Sequence, residues 1–149
     1  MGLVYKKVLK FQKKYPGTVG WRLKKNSEVI ERHLHSDETV LYAFAAQKNN
    51  NSFNIFSTNI VALTNKRILI GRKRVVYGYS LNSITPDLFN DLKVVGGLIW
   101  GKVYIDTVKE FVALSNIDKL ALREIEEKIT SFMMEEKKKY GQKDRDEED

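Results

Sequence analysis

The chain contains no cysteine. That excludes disulfides, thiolate zinc sites and cysteine nucleophiles. Apolar runs are only a few residues long, whereas a bilayer-spanning helix needs about 20. Met1–Leu9 carries lysines but neither an apolar stretch nor a small-residue cleavage site, so no secretory leader is expected. A cytoplasmic protein is the expectation, peripheral at a membrane if its basic segments meet one. Histidine is scarce, at two residues. His33 and His35 stand two apart at a predicted helix end, where their side chains diverge, so no metal site is expected. There is no G-x-S-x-G, H-E-x-x-H or EF-hand pattern.

One near miss has the spacing of a phosphate loop. Gly96, Gly101 and Lys102 fit G-x-x-x-x-G-K, but Val103 follows where Ser or Thr should bind magnesium. Leu98, Ile99 and Trp100 are bulky, and the next residues alternate as a strand. The glutamates of the last helix, Glu124, Glu126, Glu127, Glu135 and Glu136, read as a solvated face with no apolar pocket to support acid–base chemistry. No catalytic residue, cofactor, metal or small-molecule substrate is expected.

What is present is a core and an uneven charge. Of the 149 residues, 42% are hydrophobic, enough for one domain, and the formal net charge is +7. Residues 1–35 hold nine Lys/Arg and two Glu, which already amounts to +7. A basic segment on a nearly neutral body points to an acidic partner or surface.

Residues 3–15 form a basic amphipathic helix. Val4, Val8, Phe11 and Tyr15 fall on one side, and Lys6, Lys7, Lys10, Lys13 and Lys14 on the other. That helix either contacts a membrane or partner, or packs on the body. Pro16-Gly17 breaks it, and a second helix is expected from about Val19 to Leu34, with Asn26-Ser27 capping or interrupting it. The period then changes to two. Strands are expected over about 39–47, 55–64, 67–71, 75–81, 83–88 (or on to Val94), 99–105 and 110–114. In the first of these, Val40, Tyr42, Phe44 and Ala46 share a face. Pro86 falls within the fifth, suggesting an edge or bulge. From Ser115-Asn116 the helical period returns, with Ala121, Leu122, Ile125, Ile129, Phe132 and Met133 in one stripe. That helix should fade near Lys139, leaving 139–149 as a disordered charged tail.

Two helices, seven short antiparallel strands and one long helix suit an open barrel plugged by the last helix. Four segments carry a resemblance: VALTNKRILI at 61–70, YSLNSIT at 79–85, GLIWGKVYI at 97–105 and FVALSNI at 111–117. The most specific piece is Leu63-Thr64-Asn65-Lys66-Arg67. Residues 36–138 thereby resemble a bacterial pleckstrin-homology (PH) domain of the YokE-like kind. The resemblance implies an α+β fold, mainly β, of two orthogonal antiparallel sheets in a seven-stranded open barrel, capped by a C-terminal helix. Residues 1–35 would be a helical extension. It also implies a non-enzymatic binding module for a protein partner or a second copy, possible at a membrane surface. The alternative is a binder of anionic phospholipid headgroups through Lys48, Arg72, Lys73, Arg74 and Lys109 at the open end. The first strand–loop connection, Gln47–Phe53, carries only Lys48, which departs from the lipid-binding pattern. Nucleic acid is disfavoured, because no recognised motif accompanies the basic residues.

Overall fold

The structure, a computed structural model, describes residues 2–49 and 57–148. Two helices come first, α1 (Leu3–Lys14) and α2 (Leu23–His33). Seven strands follow: β1 (Val40–Gln47), β2 (Thr58–Thr64), β3 (Ile68–Lys73), β4 (Tyr79–Ile84), β5 (Phe89–Gly96), β6 (Trp100–Thr107) and β7 (Phe111–Asp118). A short 3-10 turn leads into α3 (Leu122–Glu148). The strands are antiparallel, in the order β4-β3-β2-β1-β7-β6-β5, and curl into a half-barrel. Among the described residues the four-stranded and three-stranded halves share one register pair, Gln47 with Ser115.

Alternation along the strands divides the apolar side chains between two cores. The inner core holds Phe44, Val61, Ile70, Phe89, Ile105 and Leu114, closed by Ile125, Ile129 and Met133 of α3. The outer core lies on the other face of β1–β3, where Ala43, Ala45, Ile60, Ala62 and Leu69 meet Val4, Val8 and Ile30. A bulge between Val40 and Tyr42 changes the facing expected for β1. Val40 joins the outer core, while Tyr42 and Phe44 face inward.

The apolar face of α1 therefore packs within the chain, the second of the two alternatives. Val4, Val8 and Phe11 are thus not a surface for membrane or partner, and Tyr15 is half-buried beside them. Val4 and Val8 are fully buried. Phe11, 3% exposed, passes the edge of β1 and reaches the inner core, its ring 5.4 Å from Phe44, 5.9 Å from Tyr42 and 5.0 Å from Tyr15. The lysines keep to the other side: Lys6, Lys10, Lys13 and Lys14 are exposed and Lys7 is half-buried. Lys14 pairs with Glu124 at 2.6 Å.

The segment between α1 and α2 binds the seam of the two halves. Val19 N donates to Asn116 O, and Asp118 N donates to Thr18 Oγ1. Gln47 Nε2 donates to Val19 O and to Thr58 Oγ1. Asn26, expected as a cap, is buried instead. Its Nδ2 donates to Trp21 O and Thr58 O, and its Oδ1 accepts from Lys73 N. The helix starts at Leu23, after the expected Val19 and before Asn26, with Arg22 at its N-cap in the left-handed region at φ 53°.

Three other expectations are corrected. Pro86 lies in the turn between β4 and β5, where Leu88 N donates to Thr85 O, so no strand crosses it. The fourth strand begins at Tyr79, because residues 75–77 form a tip closed by Arg74 N donating to Gly78 O. The last helix continues past Lys139 to Glu148. Its charged residues are good helix formers, and spaced pairs such as Gln142 with Asp146 at 3.0 Å support it.

If α1 completes the core, Phe11→Ala should destabilise the protein by ~3–5 kcal/mol, as large aromatic truncations in cores do. Denaturant unfolding of the two proteins checks this. An unchanged midpoint would mean that the helix is an appendage.

Candidate functional site

The basic residues at the end of the half-barrel are sorted by the pleat of β3. Ile68, Ile70 and Arg72 share the inward face, and Arg72 is paired in register with Ser80 of β4. Continuing the same parity, Arg74 follows on that side, while Lys73 points to the other. Beside them stand Asn59 of β2, the adjoining Ser57, and Lys48 at the end of β1. Lys48 N donates to Ser57 O and extends the β1–β2 ladder. These residues line an open basin of about 560 Å³, together with Val75, Val76, Tyr77 and Ser80.

The basin is cationic without compensation. No carboxylate lines it. Lys48, Arg72 and Arg74 make no ion pair among the described residues. The sequence accounts for this: between Glu38 and Asp87 it has six Lys/Arg and no acidic residue. The two guanidinium groups, without an ion pair among the described residues, offer planar, bidentate donation to phosphate or carboxylate oxygens, and Ser57, Ser80 and Asn59 add neutral donors.

The five residues expected to act together are thus divided. Lys48, Arg72 and Arg74 converge. Lys73 is exposed, outside the basin lining, with its main chain held by Asn26 and by Arg22 Nη1, which donates to Lys73 O at 3.3 Å. Lys109 is exposed in the β6–β7 turn and also lies outside the lining. That turn reaches β4 through Glu110, whose Oε1 accepts from Asn82 Nδ2. Most of the Gln47–Phe53 connection, from Asn50 on, lies outside the described residues. Sequence reasoning missed Ser57, Asn59, Ser80 and the 75–77 tip. The two-residue period read forward from Ile68 would have separated Arg72 and Arg74 from Lys73.

The other motifs are structural. The Thr64–Arg67 turn clamps the entry to β1. Thr64 Oγ1 donates to Glu38 Oε2 and accepts from Lys66 N and Arg67 N. Asn65 Oδ1 accepts from Thr39 N. Arg67 donates through Nε and Nη2 to both oxygens of Glu38, whose side chain is fully buried, and also to His33 O. Burial alone would raise the pKa of Glu38, but donation from Arg67, Thr64 and the His35 main chain outweighs it and lowers the value from 4.5 to about 2.

The phosphate-loop spacing falls on the β5–β6 hairpin, where Gly97 N donates to Trp100 O and a strand follows. A Cβ on Gly97 would lie 2.6 Å from Trp100 O, and one on Gly101 2.6 Å from Leu122, so these glycines serve the turn and the packing of α3. Glu124 departs from the expected solvated face. Its carboxylate accepts from Tyr42 Oη at 2.9 Å as well as from Lys14. Burial raises its pKa, yet those two donors prevail and hold it below the usual value. The histidines belong to separate contacts: His33 Nε2 meets Tyr79 Oη at 3.1 Å, and His35 lies beside Arg67. Among the described residues no cluster of His, Asp and Glu could hold a metal.

With this geometry in place, comparison with known proteins decides the family. The family model described as a bacterial PH domain matches residues 34–131. The chain belongs to that family. A solved pleckstrin homology domain from Shewanella amazonensis SB2B is 16% identical, with a TM-score of 0.41 over 72% of this chain and 84% of that one. No curated protein matches the chain. The bacterial PH match begins just after α2, so α1, α2 and the linker that ties the seam lie outside it. Binding, in general, is what PH domains do, and the basin lies within the matched region. Among the described residues no helix is long and apolar enough to cross a membrane.

The Glu38 clamp has a defined pH signature. A carboxylate whose pKa is depressed on folding contributes stability above its unfolded pKa and loses it as pH falls through the folded one. Stability should therefore decline between pH 4.5 and about 2. Glu38→Gln should flatten that part of the profile and lower stability at neutral pH. Thermal melts across pH check this, and a parallel decline in the variant would remove Glu38 as the cause.

Proposed function

We propose that this bacterial PH domain is a non-catalytic binding module whose open end takes a phosphate-bearing anion, with Arg72 and Arg74 as the main donors and Lys48 as a supporting charge. The observation that carries this reading is the basin itself: three cations with no ion pair, and no carboxylate, among the described residues around one concavity. A lipid headgroup at an anionic surface fits its open shape, which gives the protein a peripheral place at the membrane. The lysines of α1, now facing outward, add long-range attraction to the same surface. Within the family, the four sequence segments support the YokE-like kind.

A second reading is association with a protein or another copy. It is favoured by the outer face of β5–β7, which no helix covers among the described residues. There Tyr104 stacks on Phe111 at 5.5 Å, and Leu98 is 92% exposed. A concentration-independent monomer in sedimentation would remove self-association.

Inositol hexakisphosphate serves as a soluble probe of the basin, and phosphatidylserine–phosphatidylcholine vesicles as a surface. Arg72→Gln and Arg74→Gln should each weaken binding of both by about tenfold, the loss expected for one charge-assisted contact. Lys73→Gln should have much less effect. Binding should fall as salt rises and the Debye length shortens. Equal losses for all three variants would indicate diffuse attraction without a site, and no binding of either probe would refute the reading.

A further inference from the structure

The tip of the β3–β4 hairpin is apolar where a hairpin tip is ordinarily polar. Its three residues are Val75, Val76 and Tyr77, at 68%, 89% and 80% exposure. The turn is tight: Arg74 N donates to Gly78 O at 3.0 Å, and Gly78 takes φ +78°, a conformation that favours glycine. Pairing continues to the base, where Lys73 meets Tyr79. No described side chain covers the three, and the burial of large side chains elsewhere gives no structural reason for them to be apolar.

We infer that Val75, Val76 and Tyr77 form a wedge that enters the interfacial layer of an anionic bilayer, with Arg72, Lys73 and Arg74 as a cationic collar at headgroup level. This rests on the reading of the basin above and fixes the source of its anion as a lipid surface. Three observations favour a bilayer over a protein pocket. The tip projects into solvent, with all three side chains mostly exposed, so a protein would need a matching cavity, whereas lipid closes around a small projecting shape. The collar's own segment and its flank on the N-terminal side are cationic: Arg22 is hydrogen-bonded to Lys73 O, and Lys24 and Lys25 are exposed on the neighbouring helix, while the Glu110 carboxylate is held by Asn82 further along β4. No acidic residue occurs before Glu28 or between Glu38 and Asp87 to repel an anionic leaflet. Trp21, half-exposed beside Arg22 with the guanidinium 5.4 Å from its ring, adds an aromatic of the kind enriched at membrane interfaces. The hairpin is also braced, because Asn26 and Arg22 hold the main chain of Lys73 from both its N–H and C=O sides. Little ordering is then required on binding.

The wedge and the collar divide the work. Cations bring the protein to an anionic surface through a field that salt screens, and apolar residues hold it there through an interaction that salt does not weaken. The apolar face of α1 could not do this, since it is buried.

The absence of native cysteine makes the test direct. Val76→Cys is labelled with an environment-sensitive nitrobenzoxadiazole dye, and Lys93→Cys on β5 serves as the control. On phosphatidylserine–phosphatidylcholine vesicles the dye at position 76 should shift to the blue and be quenched by lipids spin-labelled near the headgroup. The dye at position 93 should not change. In the unlabelled protein, Val75→Ser with Val76→Ser should weaken vesicle binding by about tenfold, since each buried methylene contributes to partitioning. An unchanged thermal midpoint shows that the variant is folded, and the parent protein should bind inositol hexakisphosphate. Vesicles bound with the dye still in water, or serine variants that bind vesicles as well as the parent, would overturn the wedge and leave the basin standing. Failure of both vesicles and inositol hexakisphosphate to bind the parent protein would overturn the basin and the wedge together.

Discussion

The joint between β1 and β7 is the constraint on which the rest of the molecule depends. Among the described residues the β1–β7 ladder is reduced to the pair Gln47 with Ser115. Unpaired main-chain groups and apolar side chains would then meet water along an opening between the halves. The linker after α1 supplies the missing polar partners through Thr18 and Val19, and Gln47 and Asn26 link that linker to β2 and β3. Phe11 supplies the apolar filling. Asn116, with φ 59°, marks the place where β7 bends to meet the linker, in a conformation that asparagine tolerates better than most residues.

The residues outside the family match are for this reason part of the domain's core. They also reach the functional end. The same Asn26 that holds Thr58 accepts from Lys73 N, and the same linker ends in Arg22, which donates to Lys73 O. The strand bearing Arg72 is thus fixed along its two edges by β2 and β4 and at its end by the N-terminal segment. A binding site built on a braced strand is preorganised, and this strengthens each contact it makes.

Much of this was legible in the sequence, and the failures have physical reasons. The change of period at Thr39 and the apolar stripe from Ala121 located the strands and the plug helix, because one-sided burial imposes those periods directly. The change placed at Ser115-Asn116 falls early, since Ser115–Asp118 end β7 and Asp118 caps the turn that follows. The Leu63–Arg67 turn was legible as a motif, but its purpose was not. Its partners, Glu38, Thr39 and His33, lie far away in sequence and come together only in the fold. The bulge at Leu41 and the turn at Pro86 shifted facing and strand ends, which local periodicity cannot resolve. The membrane reading of α1 was undecided because an amphipathic stripe looks the same whether it faces lipid or a sheet. The basin was half legible: charge was visible, but only strand parity separates Arg72 and Arg74 from Lys73. The 75–77 tip was missed because Val-Val-Tyr reads as strand, and only the hydrogen bond from Arg74 to Gly78 makes it a turn.

Native-state amide hydrogen exchange tests most directly whether the N-terminal segment and the half-barrel are one cooperative unit. The account predicts that the Val19 amide, the interior amides of α1, and those of Val61 and Leu114 in the strands exchange through one common opening, with protection close to the global stability. Exchange of the α1 and Val19 amides well before the strands, with Val61 and Leu114 still fully protected, would show a separately fraying extension and contradict it.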